Sequence, residues 1–502
     1  MVLPLLADVD TFNPYLSMSA STNNLNHLIY PRALRENADF HQRPSTFQAG
    51  LVDRWEVDGK EIRMHIRDDA VWSDGAPVTS ADARFSWRAA KDKDVAWTNA
   101  SSVDFIADVE LVDDKTFVPH FSERYPYMLY DGRFWRIIPK HVYGKIPFGE
   151  WKSYRHWDKA SKVSSGPYLV QEHRHGEELV LVPNERFWDK SRPRLQKVIF
   201  RVIKSRQTQF EALLAGELDG MDFLQPRMRQ KALADPRYRV YTFDGLIYDY
   251  IGWNCEHEIF KDPEVRRALT LAVDRENIVE TLLHGQGKVM ASPMMSTLWA
   301  CDRSIEPLPF DPDQALEILA RKGWRPGPGG ILHRDGRPFE FSLTANSGNE
   351  RREAIVQIVQ AELKEIGIRV KARIIDFNAM IENIRQGQED AWVIGWWLSS
   401  KIDPKALFHS DSIGGFNGVR FRNALNDRLI DEGRLEMDLQ RARDIWRRWQ
   451  RNWLTYMPYT LLYEVSYNHT LHKRYANVEF NAIFTYYNLD SWFVAGGLGM
   501  TR

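Results

Sequence analysis

His173 and His175, with Glu177 two residues further on, have the spacing that places metal ligands on one face of a strand. A stable transition-metal site needs three or four ligands. No further ligand lies nearby in the sequence, so no metal is assigned. Gly327-Pro328-Gly329-Gly330 resembles a phosphate-cradling loop but lacks the lysine and the following helix that such a loop needs, and Asp335-Gly336 just beyond it marks a hairpin turn. Glycoside hydrolysis needs two carboxylates flanking a bond. No spacing selects such a pair and no nucleophile motif appears, so the chain is not expected to be an enzyme. Binding groups remain. Trp396-Trp397 can stack on a sugar ring or an apolar side chain. Adjacent residues on a strand point to opposite faces, so one of the two faces a ligand, with Trp397 preferred. His141 reads as a structural, hydrogen-bonding histidine.

The rest of the chain must position these residues. At 502 residues it exceeds one typical core, so two or three lobes are expected. Its 43% apolar and 27% charged content is that of an ordinary globular protein, and a net charge of −1 gives no general attraction to nucleic acid or anionic membrane. The 18 tryptophans imply either a large core or stacking faces. Cys255 and Cys301 form one disulfide or remain two separate thiols. No stretch of 18 apolar residues exists to span a bilayer as a helix.

Local patterns predict the elements. Residues 250–254 read as a short apolar strand, after which Asp262 caps a helix with Pro263 at its first position. Val265, Ala268, Leu269, Leu271, Ala272 and Val273 give it a broad apolar face. Asp58-Gly59 is a hairpin turn before the alternating strand 62–67, and Thr79 with Asp82 forms a variant capping box. A second hairpin is expected around 109–118, a strand at 197–203 and a helix at 207–214. Strand 339–345, a helix opened by Arg351-Arg352 and strand 369–375 make a parallel crossover. A helix at 378–385, an inner strand at 390–397 and a long helix at 437–457 follow.

Several of these stretches together resemble family 5 extracellular solute-binding proteins, which serve dipeptide, oligopeptide, nickel and some oligosaccharide ABC importers. Gly252-Trp253-Asn254, Phe260, Val265-Arg266-Arg267-Ala268 and Ala272-Val273-Asp274-Arg275 match the family's crossing segment. Val71-Trp72-Ser73-Asp74-Gly75-Ala76-Pro77-Val78-Thr79, Ser165-Gly166-Pro167-Tyr168, Leu213-Leu214-Ala215-Gly216-Glu217-Leu218-Asp219 and Met457-Pro458 through Tyr463 follow in family order. The resemblance implies an α/β, two-lobed periplasmic binding protein fold of the cluster C type. Lobe I is expected over 1–250 with a small subdomain at about 50–165, lobe II over 255–466, a return to lobe I over 467–502, and hinges near 250–255 and 464–468.

It implies a monomer that closes on a peptide-like solute, or alternatively an oligosaccharide, and delivers it to ABC permease subunits, with no cofactor and no nucleic-acid partner. It also implies a periplasmic or extracellular location, with or without a lipid anchor, so Met1 is read as replacing a removed leader. In peptide-binding relatives the segment resembling Gly395–Pro404 carries an Asp that pairs with the ligand's α-ammonium. Asp403 keeps the second Asp of that pattern, whereas Leu398, Ser399 and Ser400 occupy the vicinity of the first. Arg352, or its neighbour Arg351, stands where some relatives hold the ligand carboxylate, which a planar guanidinium suits. The candidate contact set is therefore Trp396, Trp397, Ser399, Asp403, Arg352, Asn346 and Asn23.

Overall fold

The computed structural model describes residues 1–133 and 135–496. The chain forms two compact units. Unit 1 comprises residues 1–39 and 45–243 and the chain from Tyr467 onward, and unit 2 comprises Phe40–Pro44 and Asp244–Ser466.

Unit 1 begins with β1 (Val2–Leu5). A four-stranded antiparallel sheet follows, built from β2 (Val52–Asp58), β3 (Glu61–Ile66), β4 (Ile106–Leu111) and β5 (Thr116–Phe121) in the order β2-β3-β5-β4. Gly59 supplies the positive φ of 56° that the Asp58-Gly59 turn requires. The helix Ser80–Lys91 starts at the expected capping box of Thr79 and Asp82. A second sheet contains β6 (Tyr168–Arg174), β7 (Glu178–Pro183) and β8 (Val198–Val202) in the order β1-β8-β7-β6, with β1 and β8 parallel and β6 and β7 an antiparallel hairpin.

Unit 2 is built around a mixed sheet, of which the first strand begins in unit 1 before Asp244 and the last runs on into unit 1 after Ser466. Its strands are β9 (Tyr238–Trp253), β10 (Glu340–Asn346), β11 (Arg369–Ile375), β12 (Ala391–Trp397) and β13 (Tyr459–His472), in the order β13-β9-β12-β10-β11. β10 and β11 are parallel and joined by the helix Glu350–Glu365, the crossover that the sequence predicts. β12 is parallel to β10 and antiparallel to β9. The crossing strand is much longer than residues 250–254. Its first half carries Arg239, Thr242 and Asp244 on a partly exposed ribbon, so only its buried apolar end has the signature of a strand. After it, Asp262 accepts a hydrogen bond from Glu264 N (2.9 Å) with Pro263 at the first helical position, and the six apolar residues of that stretch are all buried.

Cys255 and Cys301 are separate free thiols. Burial pushes the Cys255 thiol up to about 11, so it is a poor nucleophile at neutral pH.

Glu362, on the crossover helix, accepts a hydrogen bond from Asp274 N (3.1 Å). Burial, helped by the Asp274 carboxylate and opposed by that amide bond, raises its carboxyl to about 7 from an ordinary 4.5. A raised carboxyl favours the folded state below the unfolded pKa, and that advantage is lost as pH rises toward 7. Glu362→Gln keeps an acceptor for the amide without the charge. After allowance for its exposed part, it should be about 1 kcal/mol more stable than the parent at pH 8 and equal to it near pH 4. Urea midpoints at the two pH values read this directly, and a difference independent of pH would contradict it.

Candidate functional site

In unit 2 the chemistry gathers at the end of the sheet where β10 and β12 terminate. Opposite residues of β9 and β12 share a face, and the register pairs Tyr248 with Trp396, Asp249 with Gly395, Tyr250 with Ile394 and Gly252 with Trp392. One face therefore presents Tyr248, Tyr250, Trp392, Ile394 and Trp396. The other presents Asp249, Gly395 and Trp397.

On the first face lies a cavity of about 530 Å³, walled by Tyr250, Trp392, Trp396, Phe416 and the helix Phe377–Gln386. Tyr250 stacks on Tyr459 with ring centroids 3.7 Å apart and lies parallel to Trp396 at 6.4 Å, while Phe416 meets Trp396 edge-on at 5.6 Å. Such a box suits an apolar or planar group. Trp396 lines it. Trp397, the preferred residue of the sequence reading, points to the opposite face and is 55% exposed.

On the second face Asp249 is fully buried. Its Oδ2 accepts from Arg351 (Nε 3.1 Å, Nη2 2.8 Å) and from the Tyr463 hydroxyl (2.9 Å), and its Oδ1 lies 3.8 Å from Arg352 Nη2. Arg352 also donates to Asn346 Oδ1 (2.9 Å) at the end of β10. Burial is the main cause holding the Tyr463 phenol well above its ordinary value, with the Asp249 charge adding to it. Two guanidiniums thus face one carboxylate, leaving an excess positive charge beside the partly exposed Arg351. Asp249 was missed in the sequence. Its signal was one acid inside the apolar run Leu246–Trp253, because a buried charge needs a partner.

Asp403 is already engaged. Arg434 grips it in a fork (Nε–Oδ1 2.8 Å, Nη2–Oδ2 3.1 Å), and the Lys405 amide donates to Oδ1 (3.3 Å). It braces the loop after β12, on which Ser399 is exposed.

Asn23 lies in unit 1, on the helix Ala20–Ile29, and its carbonyl oxygen accepts from Arg136 Nη2 (3.1 Å). Unit 1 has its own cavity, of about 150 Å³, whose lining includes Arg32, Arg35, Arg133, Arg192, Glu36 and Asp490, with Arg35 (3.5 Å) and Arg192 (3.3 Å) both paired to Asp490. Arg133 pairs with Glu36, while its Nε and Nη1 make no hydrogen bond. Burial, followed by the charges of Arg133 and Arg136, pushes Arg32 well below its ordinary value. Burial and the same arginine cluster keep the His27 imidazole neutral. His141 pairs with Asp74 (2.7 Å).

A mixed α/β fold in two units, each with a cavity and a partly neutralised cationic cluster, defines a binding protein of the two-lobed periplasmic type. The family profile of the bacterial extracellular solute-binding proteins, family 5 (middle region), matches residues 46–417, and the chain belongs to that family. The oligopeptide-binding protein AppA of Bacillus subtilis is 28% identical over 99% of this chain and 91% of its own length. The structure of AppA in complex with a nonapeptide superposes with a TM-score of 0.82 at 26% identity, covering 99% of this chain and 98% of that one. NikA of Brucella suis, in complex with Fe(III)-EDTA, shares the fold with a TM-score of 0.86 at 20% identity, covering 98% and 99%. Among the described residues no helix is long and apolar enough to cross a membrane.

Proposed function

We propose that the protein captures an oligopeptide-like solute outside the cytoplasm and delivers it to an ABC permease. The carrying observation is the Arg351–Arg352 pair, only half neutralised by Asp249, at the carboxyl ends of parallel strands. Ligands of open α/β sheets bind in the crevice outside those ends. In this reading Arg351 and Arg352 receive the solute's carboxylate, Asn346 orients Arg352, and Trp396 with Tyr250 receives an apolar side chain. Trp397, on the face of Asp249, and Ser399, exposed on the loop after β12, complete the contact set, and Asp403 positions that loop without touching the ligand.

The peptide reading is preferred to the oligosaccharide one because neutral sugars offer no anion to these guanidiniums. AppA, the relative named above, is also a peptide binder. Titration calorimetry with peptides of two to nine residues, their C-terminal amides, and neutral oligosaccharides tests it. Free-acid peptides should bind, and amidation or Arg351→Ala should weaken them by about 10- to 100-fold, the scale of one charge-assisted pair. Saturable binding of sugars with peptides silent would overturn the proposal.

A further inference from the structure

The sequence leaves His173-x-His175 without a third ligand. Folding supplies one from 165 residues upstream, because β1 leads into Asp8 beside the turn that joins β6 to β7. His173 Nε2 lies 2.9 Å from Asp8 Oδ1, and His175 Nδ1 lies 2.9 Å from Asp8 Oδ2. The three ligand atoms all fall within 4.8 Å of one another. Glu177, the acid suggested by spacing, is outside the group and lies 3.8 Å from Arg174.

The cluster is braced as metal ligands usually are. Val9 N donates to Asp8 Oδ1 (2.7 Å) and Gly176 N to Oδ2 (2.7 Å), fixing the carboxylate plane. Phe12 packs edge-on against the His173 ring at 5.1 Å, and the two imidazoles stand nearly perpendicular, at 88°. Asp8 and His173 are mostly buried, whereas the His175 side chain is 88% exposed and free to rotate inward.

We propose that Asp8, His173 and His175 bind one divalent transition-metal ion of the zinc, nickel and copper class. Two imidazoles and one carboxylate match the borderline-soft preference of these ions and disfavour magnesium and calcium. Metal–nitrogen and metal–oxygen distances of about 2.0–2.2 Å require ligand atoms roughly 3.0–3.5 Å apart, so closure needs only a small movement of His175. The remaining coordination positions stay open to water or to a donor from outside the chain. The site lies wholly in unit 1 and uses none of the residues assigned to the peptide.

The test is titration of metal-free, tag-free protein with ZnCl2 and with NiCl2 in a non-chelating buffer. One equivalent should bind, and His175→Ala should weaken it at least about 10-fold. This exposed side chain contributes nothing to the core, so the variant folds. His173→Ala, checked for folding by circular dichroism, should do the same. Arg351→Ala should leave metal binding unchanged, which separates failure here from failure of the peptide reading. Absence of saturable binding below about 100 μM, or equal binding by His175→Ala, would overturn the proposal; the cluster would then be only a hydrogen-bonded brace for the hairpin.

Discussion

Asp249→Ala is expected to lower stability by about 3 kcal/mol, the cost of removing one partner from a buried ion pair. The carboxylate is fully buried and holds Arg351, Arg352 and the Tyr463 hydroxyl together. Without it, two guanidiniums repel one another beside a buried phenol that has lost its acceptor. Asp249→Asn tests charge apart from shape: it keeps an oxygen for Tyr463 and Arg351 but not the ion pair, and should cost less. Urea unfolding of the three proteins provides the measurement. Equal midpoints for Asp249→Ala and the parent would show that Arg351, reaching solvent, needs no counter-charge.

Gly395→Ala should be nearly as damaging, by about 2–3 kcal/mol, within the range of overpacking a tight core. Gly395 sits across the ladder from Asp249. A β-carbon there would overlap Asp249 Oδ1 and lie 2.6 Å from the Tyr248 carbonyl oxygen, which as backbone cannot swing away. The substitution therefore both strains β9 and displaces the carboxylate from the arginines. Because both variants disturb one ion-pair group, their effects should not add. In an Asp249→Ala background, the Gly395→Ala increment should shrink to the part due to the Tyr248 carbonyl. A double-mutant cycle on unfolding midpoints measures this, and strict additivity would show that Gly395 does not accommodate Asp249.

The crossover from β10 through its helix to β11, the capped helix after Asp262 and the Thr79–Asp82 capping box were all legible because each rests on neighbours in sequence. Hydrophobic period, cap chemistry and turn residues act within about ten residues of one another. The length of β9 was not legible, since its first half is partly exposed and lacks the apolar run that marks a buried strand.

The sites divide along the same line. By itself the sequence determined the family, the binding class, the aromatic pair Trp396-Trp397 and the arginine pair at 351–352. Only the tertiary structure decided which tryptophan lines the cavity, because that depends on the register of β12 against β9. It also decided that Asp403 belongs to Arg434, that Asp249 belongs to Arg351, and that Asp8 joins His173 and His175. Asp403 and Arg434 are 31 residues apart, Asp249 and Arg351 are 102, and Asp8 and His173 are 165. Long-range pairs of this kind are set by how sheets and helices pack, and no local periodicity encodes which distant charge a buried carboxylate will meet.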